Sequence, residues 1–253
     1  MTDGSASVGG ALRAGVSDLG ASINACWAAL LVAIVLTVVA GYLPPGARLL
    51  AVLAAGVIAQ GALFRRAFGR ASGLKGLRWG RDEWRLLGGH FLVLGLFLLI
   101  GSILLVAIGA VALGVARASA PNLDVGSAQA WKAALANAGP GGVVAGLAPL
   151  AGLAILVWLG LRLSFTAPAT VEQSGVRVLS AFPLTKGRVP ALLAIGVILG
   201  LPVALVGVLF GLAPPQGVGF TAGAATIVYL YLAPAWAGAL THIYRQSAVS
   251  QDA

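Results

Sequence analysis

An all-α polytopic integral membrane protein, with six transmembrane helices and short interfacial amphipathic helices, is predicted by three features of the chain. First, 59% of its 253 residues are hydrophobic and only 9% are charged, where a soluble domain of this size carries about 25% charged residues. Too few polar groups remain to cover a water-facing surface, and disorder is excluded by the same composition. Second, the apolar residues fall into six runs, most of them near the roughly twenty residues that a helix needs to cross a bilayer. Third, the charges concentrate in the connectors between those runs, where they orient the chain and meet headgroups.

Residues 1–10 are small, polar and Gly-rich, and they read as disordered. Leu12, Val16, Leu19 and Ile23 then recur at helical spacing between polar residues, which predicts an amphipathic interfacial helix. The tail and this helix make up segment 1–23. The first apolar run begins near residue 25 with Arg13 as the cation upstream, a pattern that does not predict a cleaved leader. The six-helix domain is expected over 24–244, followed by a polar tail at 245–253.

The first span reads as Asn24–Leu43, closed by the Pro44-Pro45-Gly46 turn. The second is Arg48–Phe64 and carries Gln60. The segment 65–85 holds seven cations against Asp82 and Glu83, with Trp79 and Trp84 among them. Indoles favour the headgroup region, so a short interfacial helix is expected there. Spans three to six follow at about Leu87–Val115, Gly142–Leu161, Val189–Phe210 and Phe220–Tyr244. Between the third and fourth, Ala128, Trp131 and Leu135 predict a surface helix that starts after Ser127.

Six spans leave both termini on one side. Thirteen Lys and Arg residues fall on that side and three (Arg48, Arg117 and Lys132) on the other, so the positive-inside rule predicts cytoplasmic termini. The net charge of +9 is therefore read as membrane-directed and not as a nucleic-acid surface. Anionic lipid is the expected partner of Arg65, Arg66, Arg70, Lys75, Arg78 and Arg81, flanked by Trp79 and Trp84. A protein partner or homo-oligomer is left open. Gly-x-x-x-Gly pairs such as Gly196/Gly200 are no more frequent than 36 glycines produce by chance, so they do not decide dimerisation.

No catalytic, cofactor-binding or metal-ligating residues are assigned. His90 and His242 lack a second ligand at metal spacing, Cys26 is the single cysteine, and no nucleophile or phosphate-loop motif occurs. Asp and Glu are missing from the interiors of the predicted spans. The candidate functional or structural residues are Arg162, Pro168, Glu172, Gln60 and Asp18. A guanidinium at the end of an apolar run keeps its charge and must find headgroups, water or a carboxylate. On an unbroken helix Arg162 and Glu172 are about 15 Å apart. The expectation is a helix that bends near Pro168, with Arg162 turned toward Gln60 or Asp18 and Glu172 toward the cations of 65–85, clamping the two basic loops together.

Arg162, Pro168-x-x-x-Glu172, Ser180 and Leu184-Thr185-Lys186-Gly187 before an apolar run form a pattern that resembles the membrane domain associated with glycerophosphoryl diester phosphodiesterases. It is similar also to the six-span bacterial inner-membrane proteins of the YciC type. Phe182-Pro183 departs from that pattern, which more often has Trp or another bulky residue and no proline. The resemblance implies an inner-membrane protein of uncharacterised role, without the diesterase activity, which belongs to a separate soluble barrel. The expected function is a non-enzymatic membrane component: a scaffold, an envelope-homeostasis factor or a partner subunit. The alternative is a small transporter or lipid-handling protein with a cavity near Arg162.

Overall fold

The computed structural model describes residues 7–70, 73–179, 181–211 and 218–249. The protein is 82% helical, with no strand among the described residues. Six helices are long and apolar enough to cross a membrane. In order, the elements are α1 (Val8–Ser17), α2 (Leu19–Ala40), α3 (Pro45–Ala67), α4 (Arg81–Ser119), α5 (Ala128–Asn137), α6 (Pro140–Leu163), α7 (Thr166–Glu172), α8 (Ala181–Leu184), α9 (Val189–Gly211), α10 (Val218–Ile227) and α11 (Ala233–Val249). The π-helical turn Val228–Leu232 joins α10 to α11. Its cause is local, because the ring of Pro234 crowds the carbonyl of Leu230 four residues back and removes one backbone donor.

The chain forms two compact units. One comprises Met1–Leu92 and Leu161–Ala253, and the other Val93–Gly160. The second is a helical hairpin in which glycines admit the facing side chains. Gly160 meets the Phe97 ring, and a β-carbon on Gly152 would stand 2.8 Å from Ile108 Cδ1. Helix α5 closes the hairpin: Ser127 caps it by accepting from the Ala130 N–H at 3.2 Å, and Ser119 Oγ donates to the Ala134 carbonyl at 2.7 Å. The surface helix expected after Ser127 is present.

The first unit holds the core. Ala29, Leu30 and Ala33 of α2 pack against a face of α3 bearing Ala55, Ala59 and Ala62, with Leu192, Ile195 and Leu199 of α9 and Leu240 and Ile243 of α11 completing it. The small α2–α3 side chains bring backbones close, and in lipid van der Waals packing supplies much of the association.

Three expected segments differ. Among the described residues of 65–85 no separate interfacial helix forms; Gly69, Gly73 and Gly76 all have positive φ, and α4 itself starts at Arg81. At the N-terminus, helix α1 begins at Val8, capped by Ser7 accepting from the Gly10 N–H at 3.1 Å. The disorder expected for residues 1–6 lies outside the described residues. The buried face of α1 is Ala11 and Gly15, whereas Val16 is 53% exposed. Of the expected apolar stripe, Leu12, Leu19 and Ile23 do pack against the core, but small residues take the closest positions because α1 crosses α11: a β-carbon on Gly15 would collide with the Ala235 carbonyl oxygen, and one on Gly238 would lie 3.0 Å from Gly15 Cα. At the other terminus α11 runs on to Val249, so the expected polar tail is helical over 245–249.

This close crossing predicts opposite signs for two similar changes. Gly20 has open space around its Cα, so Gly20→Ala should stabilise by up to about 1 kcal/mol through helix propensity. Gly15→Ala should destabilise by about 1–3 kcal/mol through overpacking. Thermal unfolding of the two variants in detergent checks the contrast.

Candidate functional site

The polar residues of the first unit gather where α3 ends, α4 begins, and α11 runs out. Arg65 and Arg66 occupy the last turn of α3. Adjacent helical positions point about 100° apart, so the two guanidiniums serve different neighbours.

Arg65 turns inward and pairs with Glu83, both side chains being 1% exposed. Its Nη2 also donates to the Gly76 carbonyl at 3.0 Å, and Glu83 Oε2 accepts from the Gly80 N–H at 2.8 Å. The space for this pair is made by glycines. A β-carbon on Gly61 would stand 2.6 Å from Glu83 Oε1, and one on Gly76 (φ +81°) would stand 2.9 Å from Cys26 Cα and 3.1 Å from Ala62 Cβ. The loop after α3 is thus strapped into the groove between α2 and α3. Cys26 is part of that floor, its thiol donating to the Ala62 carbonyl at 3.6 Å.

Arg66 turns toward α1 and α2. It forks onto Asp18, Nη1 to Oδ2 at 2.5 Å and Nη2 to Oδ1 at 2.8 Å, and Nη1 also reaches Ser22 Oγ at 2.6 Å. This bidentate guanidinium holds the Asp18 carboxyl below its ordinary value; burial opposes the shift, and the Ser22 hydroxyl, donating at 3.0 Å, adds to it.

The other arginines bind backbone carbonyls. Arg70 donates to the Glu172 carbonyl at 2.6 Å and to Ser174 Oγ at 3.1 Å. Arg188 donates to the Ile243 carbonyl at 2.9 Å, and burial lowers its pKa from the usual guanidinium value. Arg245 donates to the Ala67 carbonyl at 2.5 Å while lying over the Phe68 ring, 5.7 Å from its centroid. The Glu172 and Ala67 carbonyls lie at the ends of α7 and α3, where acceptors lack an intrahelical donor, whereas the Ile243 carbonyl lies within α11.

Arg162 departs from the expectation. Its Nη1 donates to the Phe182 carbonyl at 3.0 Å and to Thr185 Oγ1 at 3.4 Å, and its guanidinium lies over the Phe182 ring. Thr185 Oγ1 also lies 3.2 Å from the Arg162 carbonyl. Gln60 Oε1 is buried without a hydrogen-bond partner, and Asp18 belongs to Arg66. The helix is interrupted at Ser164-Phe165, and the guanidinium meets the α8 turn and Thr185 just after it. The interruption falls four residues before Pro168, where the ring lacks an N–H for the Ser164 carbonyl. Beyond it α7 resumes, and the helix continues as expected.

The two basic loops are joined, but by Arg70 and through the Glu172 backbone oxygen. The Glu172 carboxyl interacts instead with the Tyr244 hydroxyl of α11, which also accepts from Gln173 Nε2 at 3.3 Å. Ser180 of the motif lies outside the described residues. Of the expected lipid-facing set, Arg65 is sealed inside the protein and Arg66 and Arg70 are bonded within it. Lys75, Arg78, Trp79, Arg81 and Trp84 are exposed, with Trp79 and Trp84 stacked edge to face at 5.4 Å.

An open cleft of about 740 Å³ lies between α1, the end of α3 and α11, with Asp18, Arg66, His242, Arg245 and Gln246 in its walls. Neither Arg162 nor Gln60 lines it. Among the described residues, no three His, Cys, Asp or Glu side chains come together as metal ligands. No family model, curated protein or solved structure matches the chain.

Sequence reasoning missed Glu83, Gly61, Gly76, Arg188, Arg245 and Tyr244. The paired glycines Gly73 and Gly76 in a basic loop were the available sign of a tight strap. Nothing in the letters marks which carbonyl an arginine will meet.

Two outcomes follow. Removing one partner of a buried pair leaves the other charge stranded, so Glu83→Ala should cost about 3–5 kcal/mol, while Arg65→Met combined with Glu83→Leu should recover most of the loss; thermal unfolding in detergent reports both. Asp18 contributes stability in full above the ordinary carboxylate pKa of 3.8, and loses it as pH falls through the lower folded-state value. Asp18→Asn should therefore flatten the acid limb of a stability–pH curve below about pH 4 and lower the plateau above it.

Proposed function

We propose that this chain is a non-enzymatic structural component of a bacterial inner membrane, with both termini in the cytoplasm. The observation that carries this reading is the use made of its arginines. Arg65, Arg66, Arg70, Arg162, Arg188 and Arg245 each tie one segment of the first unit to another. Charges fixed in this way hold a membrane bundle rigid and are poorly placed to follow a moving substrate. The Ala- and Gly-lined α2–α3 contact supports the same reading.

The orientation rests on the cation distribution. Lipid contact at the cytoplasmic face is assigned to the tip of the 65–85 loop, where Leu74 is 76% exposed beside Lys75, Arg78, Trp79, Arg81 and Trp84. A cationic tip with two indoles and a leucine suits an anionic interface. Kinship with the diesterase-associated membrane domains and the YciC-type proteins belongs to the proposal too, and the mutual bonding of Arg162 and Thr185, two positions of the shared pattern, supports it.

Thiol accessibility tests the reading in a Cys26→Ala background. Gln60→Cys and Ala33→Cys should resist a small hydrophilic methanethiosulfonate from either face of membrane vesicles. Rapid modification of both would reveal a water-filled conduit and overturn the structural role in favour of transport. On intact cells an impermeant maleimide should label Ser127→Cys and spare Lys75→Cys; the reverse pattern inverts the topology.

A further inference from the structure

We propose that the cleft between α1, the end of α3 and α11 binds a phosphate-bearing anion. Its walls carry two guanidiniums, Arg66 and Arg245, and one carboxylate, Asp18. That carboxylate is already engaged on both oxygens by Arg66 and Ser22. The cleft therefore holds a surplus positive charge.

The donors are arranged on elements that the rest of the fold fixes. Arg66 is locked by its fork onto Asp18, and Arg245 is braced by the Ala67 carbonyl and the Phe68 ring. A guanidinium has five N–H donors, of which the Ala67 carbonyl takes one from Arg245. One turn back on α11, His242 Nε2 lies 3.0 Å from Gln246 Nε2, which places an imidazole and a side-chain amide side by side at the rim. Thr241 does not add to the donors, because its hydroxyl is committed to the Ala237 carbonyl at 2.8 Å.

The floor is built to stay open. Ala14, Ala67 and Gly238 present no bulky side chain, and a β-carbon on Gly10 would already stand 3.4 Å from His242 Nε2. At about 740 Å³ the space exceeds a bare ion and falls within the range of sites for small organic ligands. A tetrahedral anion with several acceptor oxygens can bridge arginines from two helices, whereas a planar carboxylate is satisfied by one fork. Two sources share this chemistry: the phosphodiester of a lipid headgroup and a free phosphate. The site is independent of the structural role proposed above.

The test uses the full chain in a non-ionic detergent, titrated with inorganic phosphate, dihexanoyl phosphatidylglycerol and dihexanoyl phosphatidylcholine, with binding read by calorimetry. Arg245→Gln should weaken binding about ten-fold or more, the usual scale for a lost hydrogen bond to a charged group. Gln246→Ala, which leaves every arginine tie intact, should weaken it less, and Arg78→Gln, outside the cleft lining, should leave it within two-fold. Binding of phosphatidylglycerol without phosphate assigns a lipid headgroup; binding of both assigns the phosphate group itself, and binding of phosphate alone a soluble ligand. No binding of any probe, equal effects of Arg78→Gln and Arg245→Gln, or affinity unmoved by both Arg245→Gln and Gln246→Ala overturns the site. None of these results bears on the thiol-accessibility test, so the two readings fail separately.

Discussion

The ion pair of Arg65 with Glu83 is the constraint around which the basic end of the protein is built. Withdrawing two full charges from water costs several kcal/mol each, and their attraction repays this only with close geometry and further hydrogen bonds. Both conditions shape the neighbourhood. The Gly76 carbonyl and the Gly80 N–H supply the extra bonds, which forces the loop to fold back over α3. Gly61 clears the space for the carboxylate, and Gly76 lets the loop backbone touch Cys26 and Ala62. Because Glu83 belongs to the first turn of α4, the pair also sets where α4 begins relative to α3. One electrostatic requirement thus fixes a loop path, a helix start and the size of the side chains beneath them.

The next residue extends the same logic. Arg66 points about 100° away from Arg65 on the helix and fixes the junction between α1 and α2 through Asp18 and Ser22. That junction in turn places α1 where Gly15 and Gly238 allow it to cross α11 closely. A helix pair with backbone-to-backbone contact tolerates little rotation, so the α1–α2 corner and the α1–α11 crossing reinforce each other. Two consecutive arginines thereby register three other helices of the first unit.

The spans were legible because their signal is collective: twenty or so apolar residues announce a helix whatever their order. All six lie where hydropathy places them, with limits shifted by a few residues, and the surface helix after Ser127 was readable from its cap. The interior of the basic loop was not. Six of its cations read as a lipid-facing surface, yet Arg65 is buried, Arg66 is committed to Asp18, and Arg70 to Glu172 and Ser174. A cation's preference for headgroups and its preference for a helix-end carbonyl rest on the same physics, and the sequence names only the cation. Arg162 shows this most directly. Its need for a partner was readable, but the partner is the Phe182 carbonyl, which any residue at that position would supply.

The two units answer the membrane differently. In the hairpin of Val93–Gly160 large apolar side chains face outward, with Leu98, Leu105, Val106 and Leu150 all more than half exposed. Lipid tails solvate such a surface as well as another helix does, so no hydrophobic force requires it to be covered. In the first unit, by contrast, a charge without a partner has nowhere inexpensive to go, and six arginines are bonded to carboxylates or carbonyls. Arg245 is the one of these that is exposed while its bonded partner is uncharged. Its carbonyl bond and the Phe68 ring orient the guanidinium without neutralising it, whereas the fork onto Asp18 neutralises Arg66. The surplus charge therefore sits at a rigid position on the wall of an open cleft, which is the electrostatic condition for holding a mobile anion.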